Sequence, residues 1–156
     1  LDRAMKADAF DGVRAALAEL VFCYADRLDR GDLEGVAKLF ERASYGIEGT
    51  QQPLEGAEAL LEAMRHMVVL YEDGTPRTKH VTTNLVFDIA PDGTSARVRA
   101  YCTVLQATDG VPRATMRAGR YADSFARGGW GWYLTGRSLG IDLRGDVSRH
   151  LRQALD

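Results

Sequence analysis

Val13, Leu17, Leu20, Tyr24 and Leu28 recur at intervals of four, three, four and four along FDGVRAALAELVFCYADRLDRG. That spacing is the buried stripe of an amphipathic helix and predicts one over residues 10–30. Gly31 stands where a left-handed residue ends a helix. Asp32 is placed to cap a second, shorter helix through Leu33, Val36, Leu39 and Phe40. Residues 43–48, with Tyr45 and Ile47, read as a short strand, and Gly49 and Pro53 mark a loop. A third helix is expected over 56–71, with Ala57, Leu60, Leu61, Met64, Met67, Val68 and Tyr71 on one side and EDGTP as its stop.

From Arg77 the period changes to two. Strands are expected over 77–90, 95–107, 114–127 and 130–143, separated by the turn residues 91–93, 109–112 and 128–129. Short turns between long strands predict an antiparallel meander. The last ten residues, with Val147, Leu151 and Leu155, read as a short helix or a loose tail. Helices first and a meander afterwards is an α+β pattern. A curved, cone-shaped antiparallel sheet would wrap the first helix and leave a cavity at its open end. Gly119, Gly129, Gly131 and Gly136 would permit the bends.

The 156 residues are expected to form one domain, 1–156, large enough for a core without staples. Net charge is −2 and no Lys/Arg stripe exists, which argues against a nucleic-acid partner. No apolar run is long enough to span a membrane, and LDRAMKADAF has no apolar signal core. Cys23 and Cys102 lie far apart with no metal-ligand spacing, so both read as buried free thiols of a cytoplasmic protein. Nothing in the pattern asks for a metal or a cofactor. Nucleophile-elbow and phosphate-loop motifs are absent.

Asp26 and Asp29 sit in the last turn of the first helix, where a carboxylate opposes the macrodipole. Either this is a solvated helix end, or Asp29 points inward. His80 shares a strand face with Thr78, Thr82, Asn84 and Val86, while the more apolar face carries Val81, Thr83, Leu85, Phe87 and Ile89. If its face is wet, His80 is unremarkable; if it lines a cavity, His80 is the best general base of the chain. A carboxylate such as Asp29 would orient it. Arg137 either binds an anionic group or pairs with Asp123 on the neighbouring strand. Tyr24 and Tyr45 are either core or hydrogen-bond donors. His66 and His150 read as surface residues, and Trp130 and Trp132 as core.

YADRLDRGDLEGVAKLF (24–40), RTKHVTTN (77–84) and GRYADSFARGGWGWYLTGR (119–137) together resemble SnoaL-like proteins of the nuclear-transport-factor-2-like superfamily. The subgroup most similar contains scytalone dehydratase, a bile-acid dehydratase and a dehydrochlorinase. That resemblance implies a cystatin-like α+β roll and a cofactor-independent Asp–His dyad, Asp29 with His80. It places Tyr24 and Arg137 among the catalytic residues and Tyr45 and Asn84 among the substrate-binding ones. The implied activity is a β-elimination, a dehydratase-type lyase, on a small cyclic or polyketide-like molecule. Polyketide cyclases and isomerases share the parts, and the fold also serves as a non-catalytic β subunit of ring-hydroxylating dioxygenases. The chain departs from scytalone dehydratase at Leu28, a tyrosine there, and has no His on the 95–107 strand. Implied partners are a small apolar or aromatic ligand and a second or third copy of the chain. Arg97, Arg99 and Tyr101 on one face of 95–107 suit that self-association.

Overall fold

A computed structural model describes residues 2–50, 52–109 and 111–152, the side chains of 2–9 and 111–116 apart. Helix α1 runs Asp2–Asp29, starting earlier than expected, through a DRAMKADA segment rich in good helix formers. Leu17, Val21, Tyr24 and Leu28 form its buried stripe. It ends in a Schellman motif: Asp32 N–H donates to the Arg27 carbonyl and Gly31 N–H to that of Leu28, both at 2.9 Å. Gly31 has φ +78°, and a Cβ there would sit 2.0 Å from the Gly74 carbonyl oxygen. Asp32 then caps helix α2, Leu33–Leu39, by accepting from Gly35 N–H at 2.8 Å. This tight exit makes Asp29 the last residue of α1 and holds its side chain at a fixed place.

Strands β1 (Ser44–Ile47) and β2 (Leu54–Glu55) precede helix α3 (Gly56–Met67), and β2 falls where only a loop was expected. Helix α3 stops four residues before the expected Tyr71. At Val68 the backbone turns extended and pairs with Leu151, with hydrogen bonds from Val69 N–H to the His150 carbonyl and from Arg152 N–H to that of Met67. As far as Arg152 the tail is therefore neither helix nor loose: Leu151 and His150 are buried against α3. Leu155 lies outside the described residues.

The four long strands are β3 (Thr78–Ile89), β4 (Ser95–Thr108), β5 (Val111–Gly128) and β6 (Gly131–Arg144). They form the expected meander, and β1 joins β6 in parallel, giving a mixed sheet of order β2-β1-β6-β5-β4-β3. Among the described residues, three helices and a six-stranded sheet make the α+β roll expected from the pattern. Its inner face buries Ala96, Val98, Ala100, Cys102 and Val104 of β4, with Tyr121 and Phe125 of β5, against α1.

One irregularity corrects the face assignment of β3. Register shifts between Thr83 and Val86, with Asn84 in the left-handed region at φ +56°. A bulge inverts the alternation of everything beyond it. Thr78 and His80 point inward before it, and Leu85, Phe87 and Ile89 are turned partly inward after it. The polar face at one end and the apolar face at the other thus both meet the core, while Asn84 is exposed. Trp130 is also corrected: it sits exposed at the β5–β6 turn, stacked on Tyr133 with the Arg42 guanidinium 5.0 Å above its ring. Cys102 is buried, but Cys23 is only half-buried.

Candidate active site

Asp29 and His80 meet where the end of α1 crosses the start of β3. Asp29 Oδ1 lies 2.6 Å from His80 Nδ1, within direct hydrogen-bond reach. The carboxylate also accepts from Thr78 Oγ1–H at 2.8 Å and, through Oδ2, from the His80 backbone N–H at 2.9 Å. Three donors on one carboxylate keep it ionised. Burial pushes its pKa up, but the His80 ring bond, its charge and the other donors outweigh that, and the net shift is downward. An ionised acceptor at Nδ1 puts the ring proton there and leaves Nε2 as the free base. That atom is buried and has no partner among the described residues. Burial lowers the pKa of His80, and the Arg117 and Arg137 charges add to this against the pull of Asp29. That net downward shift favours the neutral imidazole at pH 7.

A small cavity of about 40 Å³ is lined by Tyr24, Leu28, Tyr45, Met64, Arg117 and His150 among others; Asp29 and His80 are not among its lining residues, and the His80 ring centre lies 6.4 Å from those of Tyr24 and His150. It has room for a few waters and not for a ring-sized ligand. Larger depressions, one of about 410 Å³ over β1 and β6 and one of about 640 Å³ outside Asp29 and Thr78, are open surface grooves. Tyr24 and Tyr45 hydroxyls lie 3.4 Å apart. Burial raises the Tyr24 phenol well above its ordinary value, so it stays protonated and donates.

Arg137 is closer to the structural alternative than to an anion site. It makes two bonds to Asp123, Nε to Oδ1 at 2.7 Å and Nη2 to Oδ2 at 2.6 Å, with each side chain 1 % exposed. Its guanidinium is flanked by the Tyr121 and Tyr24 rings at 4.0 and 4.2 Å. Its charge is paired inside the protein, while Nη1 is buried with no partner among the described residues. The exposed Asn84 is removed from the substrate-binding set.

Two residues escaped the sequence reading. Buried Arg117 shares the inner face of β5 with Tyr121 and Asp123, an alternation visible in RAGRYAD. His150, expected at the surface, is 2 % exposed, and its ring centre is 6.4 Å from that of His80. No local pattern could place it, because only the tail's pairing with Val68 brings it in. Among the described residues, no three His, Cys, Asp or Glu side chains converge as metal ligands do.

Burial, helped by the Arg117 charge, pushes the His150 pKa down to about 3. Both buried histidines thus take up a proton near pH 6.5 only when unfolded. The unfolded state binds more protons below that pH, so stability falls from about pH 6.5 downward. Asp29 adds to the loss at lower pH, as its stabilisation disappears through its depressed folded pKa. Each tenfold drop in proton affinity on folding costs roughly 1.4 kcal/mol once the pH is low enough, up to the cost of lifting the tail into water. The expected result is a melting temperature that declines between pH 6.5 and 4.5, with a shallower slope in His150→Gln. Equal slopes in the two proteins would contradict the burial of a neutral His150.

The SnoaL-like domain model matches residues 13–138, most of the chain and all of the stretch from the middle of α1 to Arg137. The chain belongs to the SnoaL-like domain family. Its fold is the nuclear-transport-factor-2-like, cystatin-like one. This SnoaL-like chain superposes on an NTF2-like protein of cystatin-like fold from Novosphingobium aromaticivorans at TM-score 0.72 and 19% identity, covering 96% of this chain and 94% of that one. A candidate scytalone dehydratase from the same organism gives 0.70 at 22% identity, with 90% and 91% covered. ActVI-ORFA from Streptomyces coelicolor gives 0.69 at 18% identity, with 84% and 98% covered. No curated protein matches the chain. Identities this low carry the fold and no activity. Among the described residues, no helix is long and apolar enough to cross a membrane.

Proposed function

We propose that the protein is an acid/base lyase acting by β-elimination, in the form of a dehydration, on a small cyclic or polyketide-like molecule, and the reading invokes no cofactor. One observation carries it: the 2.6 Å Asp29–His80 contact, which leaves a buried, neutral, unpartnered Nε2. His80 Nε2 takes the proton from the carbon next to a carbonyl. The C–H electrons form the new double bond, the C–O bond breaks, and hydroxide leaves as water with a proton from Tyr45 or Tyr24. Asp29 holds the reactive tautomer and stabilises the imidazolium. A cyclase or isomerase would start with the same proton abstraction. Substrate must displace the Val147–Leu151 tail, because the cavity beneath it is only about 40 Å³. The test is a panel of cyclic β-hydroxy ketones followed by absorbance of the conjugated product. Turnover by the wild type and none by His80→Ala supports the reading.

The same small cavity favours a second reading, a non-catalytic binding or assembly subunit. No turnover across the panel, with stable co-purification of a larger partner, would select it.

Self-association is expected on either reading. Val81, Val86 and Tyr101 are exposed together on the outer sheet face, beside Arg97 and Arg99. Light scattering at high micromolar concentration should give a dimer or trimer mass, and Tyr101→Glu should lower it. A monomer mass for the wild type would remove this expectation.

A further inference from the structure

Among the described residues the interior holds two guanidiniums, and one of them is neutralised. Arg137 has Asp123 in two-point contact. Arg117 is 9 % exposed and lines the cavity, yet none of the described residues gives it a hydrogen bond or an ion pair. Asp29, the acidic group of the dyad, is committed to His80, Thr78 and the backbone. The groups that face Arg117 electrostatically are Tyr45, Tyr121, Tyr24 and Cys102, none of them a carboxylate. A buried cation without a counterion is strongly unfavourable relative to a paired one. Two further polar atoms in the same neighbourhood, His80 Nε2 and His150 Nδ1, are buried and unpartnered. Arg117 and His150 line the cavity, the His80 ring centre lies 6.4 Å from that of His150, and the unpaired cation leaves one charge to be supplied from outside.

We propose that Arg117 is the anchor for a substrate carboxylate, so that the ligand class is a small organic acid. The planar guanidinium takes a carboxylate by two parallel hydrogen bonds, and the tyrosine rings pack the carbon skeleton. What then happens to the bound acid rests on the elimination reading above; the binding does not.

Binding is therefore the measurement. Benzoate is compared with benzamide by titration calorimetry and by ligand-observed NMR. Acetate and acetamide serve as probes small enough to need little movement of the tail. The wild type should bind each acid at least 10-fold more tightly than its amide, and Arg117→Met should lose that preference. Arg117→Lys should keep part of it. Thermal unfolding of the free protein supplies a second readout. Arg117→Met removes an uncompensated charge, so its melting temperature should equal or exceed that of the wild type. A Met variant that melts lower or fails to fold would show an arginine held by the protein itself, and would overturn the proposal. So would equal affinity for acid and amide, a preference that survives Arg117→Met, or no binding of either probe. Acid binding that depends on Arg117, without elimination of any hydroxy acid, would retain the anchor and remove the lyase reading.

Discussion

His80→Ala should lower turnover by a factor of about 10²–10⁴, the usual worth of a general base. The ring is fully buried, so the substitution also leaves a small cavity and removes one of the donors on Asp29. Unfolding must be measured beside kcat for that reason. Asp29 keeps Thr78 and the backbone N–H of residue 80, which limits the stability loss to about 1–3 kcal/mol. Asp29→Asn should also lose most of the rate. An amide has no charge to offer the imidazolium and can donate to Nδ1, forcing the proton onto Nε2, where the base is needed. The double variant should be little worse than the poorer single one, because the pair acts as a unit. Activity retained by a folded His80→Ala would rule out this mechanism.

The largest stability effect is expected at Asp123. Asp123→Asn removes the counter-charge of Arg137 but keeps the shape of the side chain. It leaves a guanidinium buried between two aromatic rings. Breaking a buried pair on one side costs roughly 3–5 kcal/mol. That is a large share of the roughly 5–15 kcal/mol that stabilises a domain. Replacing both partners, Asp123→Leu with Arg137→Met, should recover much of the loss, since no charge is then left unpaired. Chemical denaturation measures both. A double variant as unstable as the single one would show that Arg137 contributes through its packing on Tyr24 and Tyr121 rather than through its charge.

The contrast between these arginines also shows where local pattern stops being informative. The sequence offered Asp123 as a partner for Arg137 but no reading at all for Arg117. Only strand pairing sets Asp123 opposite Arg137 and leaves Arg117 opposite Val104 and Arg144. Charge neutralisation is a property of neighbours across the sheet, and those neighbours are distant in the chain.

Much of the architecture was legible in the sequence. The 3.6-residue stripe from Val13 to Leu28, the Gly31–Asp32 break and the period-two runs after Arg77 all correspond to observed elements. These are local choices, set by backbone sterics, capping and the burial of one face, so short stretches determine them. Asp29 stood out because a carboxylate at a helix C-terminus opposes the macrodipole, and His80 because it is an imidazole on the polar face of a strand with a pKa suited to proton transfer. Their meeting at 2.6 Å was decided by the tertiary structure. It needs the Schellman turn to aim Asp29, and it needs the start of β3 to lie across the end of α1. The fold alone also settled which side of β3 is inside, because the Asn84 bulge inverts an alternation that looked continuous. The tail was the least legible segment. Its burial depends on Val68 leaving the helix to pair with Leu151, a contact between residues far apart in sequence that carries His150 into the interior.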